Sequence, residues 1–143
     1  MILLDTNVVS EALRPQPVAG VLLWLDSQAA ESLYLSTASL AELLLGLDSL
    51  PAGKRRRLLA ANLRNQLIGM FDQRIVAFDV RAAEVYARIV AQARRRGHPI
   101  SVADAQIAAI ATSRQFAVAT RDEAPFRAAG VPVINPWTAA VET

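Results

Sequence analysis

Short apolar runs alternate along the chain with longer segments in which apolar residues recur at helical spacing. Five of the short runs have the length and composition of β-strands, and none alternates apolar with polar positions. Such unbroken runs are typical of parallel strands whose sheet is covered on both faces. The predicted strands are residues 2–4, 33–35, 75–78, 116–119 and 131–134. Because Pro132 has no N–H to donate to a neighbouring strand, we expect the last strand at an edge of the sheet.

The segments between the predicted strands have the 3.6-residue period of helices. Helix 39–50 is apolar on nearly all sides, which predicts that it is buried, and Gly97 is the expected stop of helix 81–96. Strands that alternate with helices predict one α/β domain over residues 1–143, built on a five-stranded parallel sheet. One helix is predicted around residues 21–25, and four more cover residues 39–50, 54 to about 70, 81–96 and 102–113.

The composition of the 143-residue chain narrows the class of protein. Hydrophobic residues make up 53% and charged residues 20%, which excludes a disordered chain and provides for a sizeable core. The chain has no cysteine, which excludes disulfides, thiolate nucleophiles and cysteine-based metal sites. No apolar run approaches the roughly 18–20 residues that span a bilayer, and the N-terminus lacks a signal-peptide pattern. We therefore expect a cytoplasmic protein without membrane contact.

The charge balance is nearly neutral, at +2, so the distribution of the basic residues matters more than their number. One basic run consists of Lys54, Arg55, Arg56 and Arg57, and a second covers residues 94–96. The first run is a candidate RNA contact, and a solvated helix end is the alternative. The second run lies near a helix C-terminus, where the helix dipole already favours cations.

Four carboxylates fall where parallel strands are predicted to end, which is where open α/β sheets carry their active crevice. Asp5 follows the first strand, Glu42 lies in the helix after the second, and Asp122 follows the fourth. Asp104 opens the helix that leads into the fourth strand. Ionised carboxylates brought together there would repel by ~4 kcal/mol per close pair at an effective dielectric near 20. A divalent cation removes that repulsion, and an all-oxygen set favours Mg²⁺ or Mn²⁺ over zinc.

Helix capping is the competing interpretation of the same acids. Residues 39–42 and 101–104 both fit a capping box or its Asp variant, and Asp5 and Asp122 could each begin a helix. Spacing alone leaves both roles open, and one residue can serve in both. Asp79, directly before helix 81–96, is predicted to be an N-cap.

Four short segments, in this order, resemble the PIN-domain ribonucleases, and more closely the toxins of VapBC-type pairs in their FitB-like branch. The segments read LLDTN at residues 3–7, SLAEL at 39–43, SVADAQIA at 101–108 and ATRD at 119–122. Further similarity to that branch comes from LPAGKRR at residues 50–56, DEAPF at 122–126 and VINPW at 133–137. The resemblance covers residues 1–137. It implies a three-layer α/β/α fold and a Mg²⁺-dependent endoribonuclease that is the toxin of a type II toxin–antitoxin system.

Position by position, the resemblance implies that Asp5, Glu42, Asp104 and Asp122 form the catalytic and metal-binding site. Thr6 matches a position that supports the metal ligands through its hydroxyl. Many relatives have Asn in place of Asp122 and an acid three residues later, where this chain has a proline. The fourth acidic role therefore depends on Asp122 alone.

The resemblance also implies partners. These are an RNA substrate, a second copy of the chain in a homodimer, and a small VapB- or FitA-like antitoxin that carries the pair to operator DNA. The leucines of helix 39–50 and of residues 58–67 are the predicted binding surface for an antitoxin segment. An arginine of that segment is expected to lie close to the acids.

Two other functions compete with this one. A non-catalytic PIN-like module that binds RNA or a partner would keep the fold. A phospho-receiver domain would use Asp79, but the chain lacks the acidic pair and the lysine that such a site needs. Of the remaining polar or aromatic candidates, His98 is predicted to be a solvated loop residue, and Trp24 and Trp137 are predicted core anchors.

Overall fold

The centre of the computed structural model, which describes residues 1–49 and 52–139, is an all-parallel sheet with the strand order β3-β2-β1-β4-β5. The five predicted strands are confirmed, with slightly shorter bounds in the second half of the chain. β5 lies at an edge, directly after Pro132, as predicted. The strands are β1 Ile2–Leu4, β2 Leu33–Ser36, β3 Ile75–Val76, β4 Ala117–Ala119 and β5 Val133–Ile134.

The register of the sheet brings three strand ends to one level. Leu4 of β1 pairs with Leu35 of β2 on one side and with Ala119 of β4 on the other. The residues that continue these strands, Asp5 and Thr120 among them, therefore lie side by side at the carboxyl edge. The backbone N–H of Asp5 donates to Ala119 O at 2.9 Å, which fixes this arrangement.

Helices cover both faces of the sheet, which confirms the three-layer α/β/α fold. One face carries α5, α6 and α7, packed around Leu3 and Val118. The other carries α1, α2 and α4 around a second core that includes Leu4 and Leu35, and Trp24 is buried in this core as predicted. The helices are α1 Thr6–Ala12, α2 Ala19–Ser27, α3 Thr37–Asp48, α4 Lys54–Phe71, α5 Val80–Arg95, α6 Val102–Arg114 and α7 Glu123–Ala128.

Two helices were not predicted from periodicity, because they are too short to show a period. α1 has seven residues and α7 has six. Pro125 lies in the first turn of α7, where a missing N–H removes no intrahelical hydrogen bond.

Local capping was predicted correctly around α5. The side chain of Asp79 accepts from the backbone N–H of Ala82 at 2.9 Å, as an N-cap does. Gly97 has a φ of +71° directly after the helix, and the N–H of His98 donates back to Ala93 O at 3.0 Å. This left-handed glycine ends the helix as predicted.

Two predictions for α3 are wrong. The helix begins earlier than residue 39, with Ser36 as its N-cap accepting from the N–H of Ser39, so Ser39 and Glu42 form no capping box. The helix is also not buried on all sides, because Leu45 is 67% exposed and Leu44 is 40% exposed. Its predicted end at residue 50 lies outside the described residues. Within the described part of the chain, no helix is long and apolar enough to cross a membrane.

Candidate acidic site

A pocket of about 590 Å³ opens at the carboxyl ends of the central strands. All four acids that the sequence singled out line it, although they come from four separate segments of the chain. The sequence-predicted Thr6 lines it as well. The full lining is Asp5, Thr6, Asn7, Ser10, Glu11, Arg14, Glu42, Asp104, Arg121, Asp122 and Trp137.

Asp5 is the buried centre of this pocket, with 6% of its surface exposed. One carboxylate oxygen accepts from the backbone N–H of Thr6 at 2.7 Å, so Asp5 is also the N-cap of α1. The other oxygen accepts from the hydroxyl of Thr120 at 2.8 Å. Burial raises the pKa of Asp5 to about 6, against the two hydrogen bonds and with a further contribution from the charges of Asp104 and Glu42. No cation among the described residues forms an ion pair with it.

Asp104 combines the two roles that the sequence left open. Its backbone N–H donates to the hydroxyl of Ser101, the N-cap of α6, at 3.2 Å, while its side chain lines the pocket. Partial burial raises the pKa of Asp104, the charge of Asp122 adds to this, and a hydrogen bond with Ser101 opposes it. A capped helix start therefore presents a carboxylate at the strand ends.

Glu42 reaches the pocket from α3, where it is exposed and caps no helix. The hydroxyl of Thr6 donates to Glu42 Oε1 at 3.1 Å. Thr6 thus holds two acids, Asp5 through its backbone N–H and Glu42 through its hydroxyl.

Thr120 is a site residue that the sequence analysis did not single out. It is fully buried, and its hydroxyl donates to Asp5 while it accepts from Asn7 Nδ2 at 3.3 Å and from the backbone N–H of Asp122 at 3.0 Å. One hydroxyl therefore ties the first strand end to the turn after the fourth. The signal was present, since Thr120 directly follows an unbroken apolar strand, as Asp5 does.

Asp122 stands at the N-cap position of α7 but makes no capping hydrogen bond with its side chain. Its carboxylate lines the pocket and is close enough to Asp104 to raise the pKa of that residue. Capping alone therefore does not account for Asp122.

The oxygen-rich lining fits a hard divalent cation, although the acids are not preassembled around one point. Within the described residues, no three acidic or histidine side chains converge closely enough to hold a metal ion in this arrangement. The chemistry of the donors still favours one, because Asp5 is buried without a cationic partner and other carboxylates surround it. Asp122 is exposed and its side chain makes no capping hydrogen bond, so this carboxylate is free to adjust.

The two basic residues that line the pocket are ones that the sequence analysis did not single out. Lys54, Arg55, Arg56 and Arg57 begin α4 and do not line it. Arg14 and Arg121 do, and the guanidinium of Arg121 lies 5.3 Å from the ring centre of Trp137. Trp137 packs against the second core, as predicted, and also forms part of the pocket wall. His98 is an exposed loop residue, as predicted.

Comparison with known sequences gives the same family over most of the chain. The PIN-domain family model matches residues 2–131. Plasmid stability protein StbB of Pseudomonas syringae pv. tomato is 52% identical over 139 residues, covering 97% of this chain and 100% of the relative. VapC ribonuclease Y4jK of Sinorhizobium fredii is 46% identical over 98% of this chain and 100% of its own. Toxin FitB of Neisseria gonorrhoeae is 47% identical, covering 96% of this chain and 99% of the relative.

Solved structures agree with the sequence comparison. FitAcB from Neisseria gonorrhoeae superposes with a TM-score of 0.92 at 47% identity, covering 97% of this chain and 100% of that one. FitAB bound to an IR36 DNA fragment gives 0.92 at 44% identity, covering both chains completely. A member of the VapBC family of toxin-antitoxin systems from Mycobacterium tuberculosis superposes with a TM-score of 0.62 at 27% identity, covering 92% of this chain and 95% of that one.

Proposed function

The chain belongs to the PIN-domain family, and from this premise we propose that it is a Mg²⁺-dependent endoribonuclease and the toxin of a type II toxin–antitoxin pair. The observation that carries the proposal is that Asp5, Glu42, Asp104 and Asp122, from four separate segments, line one pocket at the strand ends. Relatives named VapC ribonuclease and toxin FitB, aligned over nearly their whole length, support it. We further propose that residues 1–143 act as one domain, in the cytoplasm.

The four acids would hold the metal, and Mn²⁺ suits the same oxygens. Bound there, the ion supplies a lowered pKa to a coordinated water and neutralises charge on the phosphate. Asp5 stays fixed because each of its oxygens accepts a hydrogen bond. Thr6 orients Glu42 through Oε1. Glu42 or Asp122 would orient the attacking water and accept its proton, since both carboxylates are exposed at the pocket.

A metal-dependence assay separates this function from the non-catalytic module. The purified chain should cleave RNA with Mg²⁺ or Mn²⁺ and stop when EDTA is added. The matched variant Asp104→Asn should bind RNA, keep its circular dichroism spectrum and cleave nothing. RNA binding by the parent chain without cleavage under either metal would favour the module.

The second part of the proposal is the antitoxin, and we propose that it binds to a surface formed by α1, α3 and α4. A cavity of about 350 Å³ lies between these helices, lined in part by Leu13, Leu43, Leu47, Leu59 and Leu63. Exposed leucines continue from it along α3 and α4. We propose that an amphipathic antitoxin segment covers them, that an arginine from it pairs with the acids, and that operator DNA is bound through the antitoxin. A homodimer of this chain is part of the same assembly.

Co-expression with the product of the neighbouring small reading frame tests the partner. The two proteins should co-purify, and RNA cleavage should be suppressed at about one-to-one stoichiometry. If the arginine competes with the metal, excess Mg²⁺ should partly restore cleavage. Two independent proteins on size-exclusion chromatography, with toxicity undiminished, would contradict the antitoxin. Inhibition that ignores Mg²⁺ would contradict only the arginine.

A further inference from the structure

We propose that Arg14 and Arg121, on the rim of the acidic pocket, hold the backbone phosphates of single-stranded RNA next to the phosphate that is hydrolysed. The inference rests on the ribonuclease function proposed above and adds the residues that position its substrate. It names two basic residues that line the pocket itself, in addition to the basic run at the start of α4.

Arg14 is held at the rim by a buried carboxylate. Glu11 is 5% exposed, and one of its oxygens accepts from the backbone N–H of Val18 at 3.1 Å. The other oxygen accepts from Arg14 Nη1 at 3.1 Å. The hydrogen bond from Arg14, followed by that from Val18, lowers the pKa of Glu11, so the pair is ionic at neutral pH. The Arg14 side chain is still 66% exposed, and a guanidinium has further N–H donors for a phosphate.

Arg121 is held in a different way, by its backbone and by an aromatic face. Its N–H donates to Asn7 Oδ1 at 3.4 Å, and it stands between Thr120 and Asp122 in the chain. Its guanidinium lies over the ring of Trp137, and the backbone N–H of Trp137 donates to Asn135 Oδ1 at 2.9 Å. A cation above an aromatic face still has N–H donors for a phosphate, and within the described residues Arg121 forms no ion pair.

Charge explains why the pocket needs these two residues. Five carboxylates line it, namely the four acids and Glu11, against two guanidiniums. Such a pocket repels a polyanion, and a metal at the acids offsets only part of that repulsion. A guanidinium matches a phosphate with two parallel hydrogen bonds, so the rim arginines would draw the strand across the acids. Lys54 and the arginines after it begin α4 outside this pocket.

The phosphates bound at the rim do not react, so their contacts are equal in the ground state and in the transition state. Losing one should therefore raise KM and leave kcat nearly unchanged. Each lost contact should also flatten the dependence of log affinity on log salt by about 0.7 for a single strand. A variant that only loosened the fold would shift neither quantity in this pattern.

The test uses fluorescein-labelled single-stranded poly(U) and the full chain carrying Asp104→Asn, so that binding is measured without cleavage. Arg14→Gln and Arg121→Gln should each weaken binding about tenfold, the loss of one charged hydrogen-bonding contact. Each should also show the flattened salt slope. The matched control is Arg88→Gln on α5, exposed and outside the pocket, which should bind like the parent. Affinity and slope unchanged in both rim variants would overturn the proposal.

A double-mutant cycle tests the part assigned to Trp137. Trp137→Phe keeps a ring in the second core but offers a weaker face to the cation. If Trp137 acts through Arg121, adding this change to Arg121→Gln should weaken binding no further. Additive losses would instead show a direct contact between Trp137 and RNA, which overturns the supporting role.

Kinetics of the active chain keep this proposal separate from the function on which it rests. Raised KM with steady kcat in the rim variants supports both. Normal cleavage with unchanged KM in the rim variants would overturn only the role proposed for Arg14 and Arg121. A parent chain that cleaves nothing, while the rim variants still lose RNA affinity, overturns the ribonuclease and supports the rim as an RNA-binding surface.

Discussion

The two helical layers of this protein differ in how much of their apolar surface the chain itself covers. On the face of α5 and α6, five consecutive residues from Ile107 to Ala111 are fully buried. On the face of α4, together with the adjoining α3, Leu45 is 67% exposed, Leu58 56% and Met70 63%. The first layer exposes Val80 and Val102 at the first residues of α5 and α6, whereas the second leaves a row of large apolar side chains along α3 and α4 in contact with water.

The second face therefore combines a buried core with an exposed apolar surface that a partner could cover. Apolar surface that is buried within the chain contributes to folding, and apolar surface left exposed is available to a partner. α3 connects the second face to the acidic pocket, because it carries Glu42 as well as the exposed Leu44 and Leu45. A protein seated on α3 would therefore lie next to the acids.

The largest expected effect is a loss of RNA cleavage when an acid of the pocket is replaced, while both helical layers stay folded. Asp5→Asn should reduce RNA cleavage by at least about 100-fold, because it removes the buried acid of the metal site that we propose. The stability of the metal-free protein should be equal or raised, because a buried charge is removed. Cleavage assays and thermal melts of the metal-free protein measure both. Full activity would remove Asp5 from the site.

The next effect compares the two layers directly. Ile110→Ala should lower the free energy of unfolding by about 2–5 kcal/mol, because it opens a cavity at a fully buried position of α6. Leu45→Ala should change it by less than about 0.5 kcal/mol in the isolated chain, because that side chain is mostly solvated already. Urea unfolding of both variants gives the two values. Equal losses would mean that the layers do not differ.

The stability of the metal-free protein should depend on pH, because the pocket between the layers holds acids with raised pKa values. The pKa of Asp5 is about 6 in the folded protein and near 3.8 in the unfolded chain, so the folded state binds this proton more tightly. Stability of the metal-free protein should therefore fall as the pH rises from about 4 to about 6, by up to about 3 kcal/mol from this group.

Asp104, whose pKa is also raised, acts in the same direction. Urea unfolding across this range, for the parent and for Asp5→Asn, isolates the contribution of Asp5. Identical pH profiles would contradict it.

The smallest effect concerns the basic start of α4, on the layer with the row of exposed apolar side chains. Replacing Arg55 and Arg57 by Gln should weaken RNA binding for all sequences and flatten the salt slope by about 0.7 per lost contact. The loss should be smaller than at the rim, because the run does not line the pocket. Fluorescence anisotropy in a salt series measures it. An unchanged slope would leave this run as solvated helix surface.

The sequence alone determined the elements whose signals are local. Five unbroken apolar runs predicted the strands, Pro132 predicted the edge strand, and Asp79 and Gly97 predicted the two ends of α5, because period, missing donors and capping depend on near neighbours. The grouping of Asp5, Glu42, Asp104 and Asp122 was also predictable, since parallel strands end at one edge of the sheet.

Only the tertiary structure decided what depends on residues far apart in the chain. The buried hydroxyl of Thr120 meets a carboxylate 115 positions away, and Arg14 and Arg121 reach one rim from opposite ends of the sequence. The leucines of α3 have the pattern of a buried helix, yet Leu45 is exposed, because a pattern records which residues are apolar and not what packs against them. Burial is a property of the assembled layers, and in this protein α3 and α4 keep a row of large apolar side chains exposed.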